Sequence, residues 1–149
     1  MLFLLFYLLH RSSCGKGSSR ASHFERLPLS EAGQQRAAAL AQRLKEANIT
    51  QIFSTNTIRT TGTAAPLGKA NGVSVQLYNA GDTTFILTLK AMEGKNVLVV
   101  GHSNTVDDLV NGLTGKVLLQ DLPDTQYGDV FIIKKRGKRH LYSVSRFGN

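Results

Sequence analysis

The stretch Asn96-Val97-Leu98-Val99-Val100-Gly101-His102-Ser103-Asn104-Thr105 does most to limit what this chain can fold into. Residues 97–100 are an unbroken aliphatic run bounded by Lys95-Asn96 and Gly101, the pattern of a strand buried on both faces. Such a strand needs a covering layer on each side. The polar residues that follow open a helix whose apolar side is Val106, Leu109, Val110 and Leu113, so His102 falls where a strand ends and a helix begins. In open α/β sheets this is the edge at which loops and helix N-termini converge on ligands. Gly101 lets the backbone turn there, and Ser103, Asn104 or Thr105 can cap the helix. A lone histidine in such a place is either a structural cap or a functional group, and its position at a strand end favours the second.

The rest of the chain alternates in the same way. Residues 2–9 are apolar and too few to span a bilayer, which takes about 20 residues, so they are expected to form a buried first strand. An export signal is the alternative, but it lacks a basic segment before the run. Residues 11–26, rich in Ser, Gly and Arg, read as a long loop. Ser30 is a plausible N-cap, and Ala37, Leu40, Ala41, Leu44 and Ala47 recur at helical spacing. Gln51-Ile52-Phe53 reads as a strand running into Ser54-Thr55-Asn56-Thr57, with Arg59 in the first turn of a helix that Pro66 should distort or shorten. Residues 73–77 suggest a third strand, and Asp82 a cap for a helix through Phe85, Ile86, Leu89 and Met92 that ends at Gly94. Asp129-Val130-Phe131-Ile132-Ile133 and His140-Leu141-Tyr142-Ser143-Val144 suggest a hairpin around Arg136-Gly137. The expectation is one α/β domain over residues 1–149, a three-layer α/β/α sandwich on a mostly parallel sheet.

Charge narrows the partners. Eighteen Lys and Arg against ten Asp and Glu give a formal net charge of +8, which favours anionic partners. A single cysteine, Cys14, leaves no intramolecular disulfide framework and no metal cluster. Cytoplasm is the default compartment. Within this frame His10-Arg11, Arg59 and His102 each follow a predicted strand, which gathers two imidazoles and two guanidiniums at one sheet edge. That set suits a phosphoryl group: arginine binds its oxygens with a planar fork, one histidine can take the group covalently, and a second can stabilise its charge or move a proton.

Three segments, in this order and spacing, resemble the histidine phosphatase superfamily, also called phosphoglycerate mutase-like, and within it the small phosphohistidine-phosphatase type. They are Pro28-Leu29-Ser30-Glu31-Ala32-Gly33, residues 52–64 around Arg59, and Val99-Val100-Gly101-His102-Ser103-Asn104. The resemblance implies that Arg59 binds phosphate, that His102 is the second catalytic histidine, and that neither metal nor organic cofactor is used. Members carry Arg-His-Gly or Arg-His-Ala at the end of the first strand, with the arginine on phosphate and the histidine as nucleophile. Here the order is His10-Arg11, followed by Ser12-Ser13. Neighbouring side chains of a strand point to opposite faces, so the exchange keeps the site only if the strand ends early and the loop turns.

One choice of codons for residues 10–16, read a base later, spells Thr-Val-Arg-His-Ala-Glu-Lys. The expectation that follows is that the chain up to about residue 26 is out of frame relative to a phosphatase ancestor. In larger relatives an acidic residue after the third strand protonates the leaving group, and Asp82 is the nearest match; its other role is that of a helix cap. His23 and His140 are expected at the surface. The run Lys134, Lys135, Arg136, Lys138 and Arg139 has no interleaved aromatic residues for stacking bases, so a solvated turn is expected there rather than specific nucleic-acid binding.

The expected function is hydrolysis of a phosphomonoester or phosphohistidine through a phosphohistidine intermediate, with turnover by this chain weak or absent. The competing expectation is a pseudoenzyme that binds phosphate or a phosphoprotein without catalysis. Partners would be a phosphorylated small molecule or a phosphoprotein, with no membrane.

Overall fold

The computed structural model describes residues 2–7, 28–120 and 129–146, with residues 2–7, 103 and 104 described by their backbone only. In chain order the elements are β1 (Leu2–Tyr7), α1 (Glu31–Leu44), β2 (Ile49–Ser54), α2 (Ile58–Asn71), β3 (Val75–Leu77), α3 (Phe85–Ala91), β4 (Asn96–Gly101), α4 (Ser103–Thr114), β5 (Asp129–Arg136) and β6 (Arg139–Arg146). The strands form one six-stranded sheet in the order β3-β2-β4-β1-β5-β6. β3, β2, β4 and β1 run parallel, β5 is antiparallel to β1, and β6 returns antiparallel to β5. The mostly parallel sheet expected from the sequence is therefore present.

The aliphatic run explains its own surroundings. In β4, Val97 and Val99 join a core with Phe53, Leu89, Val106 and Leu109, while Leu98 and Val100 join another with Leu40, Leu44, Ile52 and Leu67. Alternate residues thus face opposite layers, with α3 and α4 on one side and α1 and α2 on the other. All four are fully buried, and each such side chain contributes about 1.5–3 kcal/mol relative to exposure. The apolar run at the N-terminus supplies β1, which pairs with β4 on one edge and β5 on the other. Tyr7 lies in register with Gly101, so the chain leaves β1 at the edge where His102 begins. Among the described residues no helix is long and apolar enough to cross a membrane.

Local chemistry sets the boundaries. Ser30 caps α1 by accepting from the Gly33 N–H at 3.2 Å, as its position in the sequence suggests. Leu29 lies against both Gly33 and Gly62, which brings the starts of α1 and α2 together over a single side chain. Pro66 is a correction to the sequence expectation. α2 runs on to Asn71 and closes at Gly72, whose positive φ of 66° brings its N–H onto the Gly68 carbonyl. Leu67 and Gly68 beyond the proline are buried against the sheet, and this packing outweighs the hydrogen bond that proline cannot make. β3 begins at Val75 rather than Val73 because the Val73 N–H is also spent on Gly68 O. Likewise α3 ends at Ala91, before Gly94, and its N-cap is Thr84.

Candidate functional site

The site is built at the carboxyl edge of the parallel strands, from the junctions after β2, β3 and β4. His102 is the N-cap of α4, and it is held by its backbone: its N–H donates to Thr105 Oγ1 at 2.9 Å, and that hydroxyl donates back to His102 O at 2.9 Å. The imidazole also reaches the end of β2. It is half-buried, and Nε2 lies 3.2 Å from Thr55 Oγ1, the first residue after β2. Thr55 in turn belongs to a threonine network. Its Oγ1 donates to Thr60 Oγ1 at 3.0 Å, Thr60 Oγ1 donates to Thr55 O at 2.8 Å, and Thr57 caps α2 by accepting from the Thr60 N–H at 3.2 Å. Arg59 stands half-buried in this first turn of α2, one residue before Thr60. The threonine turn thus connects the β2 and β4 junctions through hydrogen bonds.

Thr55, Asn56, Thr57, Tyr78, Ala80 and His102 line a cavity of about 520 Å³ open to solvent. Gly101 leaves room for Tyr78, which lines this cavity. A Cβ there would come within 2.5 Å of Tyr78 Oη and 2.7 Å of Thr105 Oγ1. Gly101→Ala is accordingly expected to destabilise the protein by about 1–3 kcal/mol through overpacking, measured by urea unfolding; an unchanged midpoint would show that the wall has room.

Tyr78 is the wall's aromatic part. Its ring stacks on Phe85 with centroids 4.2 Å apart, and burial pushes its phenol up to about 12, an effect that Thr105 beside it partly offsets. Because the folded protein resists ionising this group, the unfolded chain releases the proton first as pH rises. The associated stability is complete below about pH 10 and is lost towards pH 12, and two units correspond to about 3 kcal/mol. Urea unfolding at pH 9 and pH 11.5 should show this fall reduced in Tyr78→Phe. An equal fall in both proteins would remove Tyr78 as its source.

Asp82 lies in an adjoining cavity of about 300 Å³ that shares Tyr78 and Ala80 with the first. It is exposed and acts before α3 rather than as its N-cap: Oδ1 accepts from the Thr84 hydroxyl at 2.6 Å and the Thr84 N–H at 2.9 Å. Those bonds hold its carboxyl below the ordinary value. His10 and Arg11 lie outside the described residues, as does His23. His140, on β6 opposite Lys135, is removed from the cavity, and burial followed by the charges of Lys135 and Lys90 lowers its pKa. Among the described residues no group of three or more His, Cys, Asp or Glu side chains is placed to hold a metal ion.

Thr55, Thr60 and Tyr78 were not singled out by the sequence. The signal available was the density of hydroxyls in Thr55, Thr57, Thr60, Thr61 and Thr63, more than one helix start needs for capping.

The family model described as histidine phosphatase superfamily (branch 1) matches residues 16–80, which includes the threonine turn and Arg59. No curated protein matches the chain. Among solved structures, the native mycobacterial glucosyl-3-phosphoglycerate phosphatase Rv2419c is similar with a TM-score of 0.65 at 15% identity, over 99% of this chain and 97% of that one. YhfR of Bacillus stearothermophilus gives 0.65 at 17%, over 96% and 95% of the two chains. The Agrobacterium tumefaciens protein assigned as the phosphohistidine phosphatase SixA gives 0.64 at 18%, over 94% and 96%. At these identities the likeness establishes a common fold, the phosphoglycerate mutase-like one.

Proposed function

We propose that this chain is a member of the histidine phosphatase superfamily that binds a phosphoryl group at the carboxyl edge of its sheet and hydrolyses a phosphomonoester or phosphohistidine. The observation that carries this is the convergence of His102, the threonine turn and the start of the Arg59 helix on one open cavity. In this account Arg59 grips phosphoryl oxygens and His102 stabilises the charge that develops on them. His10, shortly after β1, is assigned as nucleophile, with Arg11 as second guanidinium. A ring nitrogen of His10 forms a bond to phosphorus as the bond to the leaving group breaks and the leaving group takes up a proton. Water then attacks phosphorus, the nitrogen–phosphorus bond breaks, the imidazole recovers a proton and inorganic phosphate departs.

Asp82 is assigned as proton donor, with a condition set by its surroundings. Held in its charged form by Thr84, it carries a proton only at acid pH. An imidazole leaving group protonated on its other nitrogen departs neutral and needs no such donor, whereas an alkoxide does. A phosphohistidine on a protein surface therefore suits the open cavity better than a sugar phosphate. The relatives named above as acting on glucosyl-3-phosphoglycerate and phosphohistidine support a phosphorylated substrate.

The second reading is a phosphate-binding pseudoenzyme, favoured by the His10-Arg11 order. Turnover of p-nitrophenyl phosphate separates the two. Activity lost in both His10→Ala and His102→Ala establishes the hydrolase, and phosphate binding without turnover establishes the binding module.

A further inference from the structure

The threonine turn decides which nitrogen of His102 carries a proton. Each threonine hydroxyl has one hydrogen to give. That of Thr60 goes to a carbonyl, Thr55 O at 2.8 Å or Thr57 O at 3.2 Å, and carbonyls only accept, so the Thr57 hydroxyl 2.8 Å away is a donor to Thr60 Oγ1. Thr60 Oγ1 is therefore an acceptor towards Thr55, whose own hydrogen it takes at 3.0 Å. With its hydrogen on Thr60, Thr55 Oγ1 offers His102 only lone pairs, and the ring nitrogen 3.2 Å away is then the donor. From this hydrogen count we infer that Thr55 and Thr60 are positioning residues that fix neutral His102 as the Nε2–H tautomer.

The consequence for chemistry rests on the phosphoryl site proposed above. A histidine that opens its Nε2–H towards the cavity donates a hydrogen bond to a phosphoryl oxygen and does not accept a proton there. His102 is thereby set as a stabiliser of negative charge, and the base work falls elsewhere. Thr55 and Thr60 are both buried, which shields the chain of hydroxyls from exchange with solvent partners. Thr55 also lines the cavity, so a phosphoryl oxygen entering it would replace Thr55 as the acceptor for the same N–H.

The test reads the tautomer directly. Ring nitrogen and carbon-bound proton shifts of His102 are recorded by long-range ¹H–¹⁵N spectra at a pH where the ring is neutral, with His102→Gln used to assign the signals. The wild type is expected to show a protonated Nε2 and an unprotonated Nδ1. Thr55→Ser keeps this pattern, and Thr55→Val, which removes the acceptor, shifts the signals towards a mixture of tautomers. Thr60→Val approaches from the other end: the Thr55 hydroxyl, deprived of its acceptor, turns its hydrogen to Nε2 and drives the ring to Nδ1–H. An unprotonated Nε2 in the wild type overturns the inference, as does a spectrum unchanged in both Thr55→Val and Thr60→Val. The result is independent of catalysis, because the spectra are read on the resting protein. Where turnover is present, it should fall about tenfold in Thr55→Val and return in Thr55→Ser. A protein that shows the tautomer but neither turns over nor binds phosphate keeps this inference and loses the proposed function.

Discussion

Replacing His102 by alanine is expected to lower p-nitrophenyl phosphate turnover by about 10²–10³-fold, the range seen when one preorganised donor to a developing oxyanion is removed. The fold should survive the change. α4 is held at its start by the His102 backbone and the Thr105 hydroxyl, and neither is altered in the variant. One partner of the imidazole is Thr55, which stays anchored to Thr60 when the ring is gone. Steady-state kinetics beside a urea unfolding curve separate the two effects. A variant that unfolds normally yet keeps wild-type turnover would remove His102 from the reaction. Arg59→Lys is the companion change: the charge remains but the planar fork that grips two oxygens does not, and phosphate should bind more weakly.

The second large effect is on stability. Leu98→Ala should cost about 2–5 kcal/mol, because Leu98 is fully buried in the middle of β4 and its loss leaves a cavity between the sheet and the α1, α2 layer. The neighbouring strands limit collapse, since β4 is hydrogen-bonded to β1 on one side and β2 on the other. By contrast Val144→Ala on β6, where the side chain is 48% exposed, should stay within about 0.5 kcal/mol. Urea midpoints for the two variants provide the check. Equal losses would mean that the centre of the sheet lies elsewhere.

Much of this architecture is written in single residues. The run Val97-Leu98-Val99-Val100 dictates a strand covered on both faces, and the two cores that divide its side chains are the physical expression of that run. Ser30 and its glycine neighbour mark the start of α1 because a cap is a local hydrogen bond. Pro66 misleads for the opposite reason. Its local cost is real, but the buried Leu67 and Gly68 beyond it belong to a tertiary contact that no short window of sequence contains. Asp82 shows a finer limit. The sequence places a carboxylate near a helix start, while the choice between an N-cap and a turn before Thr84 depends on backbone angles.

The site divides in the same manner. Arg59 and His102 stand out because each follows a strand, and the strand-to-helix junction is legible in the change of period from two to 3.6. The threonines that link those junctions do not stand out, because a hydrogen bond between Thr55 and His102 joins positions far apart in the chain. Basic residues at the hairpin illustrate the converse: Lys135 pairs with Glu93 at 3.7 Å, so part of that charge is answered within the protein itself.

The most direct test of the account is a titration of ¹⁵N-labelled protein with inorganic phosphate, followed by amide and arginine side-chain shifts. The account predicts saturable changes concentrated on residues 55–60 and 102–105, abolished in Arg59→Ala. Changes confined to the basic hairpin around Lys135 and Arg136, or none at all at the carboxyl edge of the sheet, would contradict it.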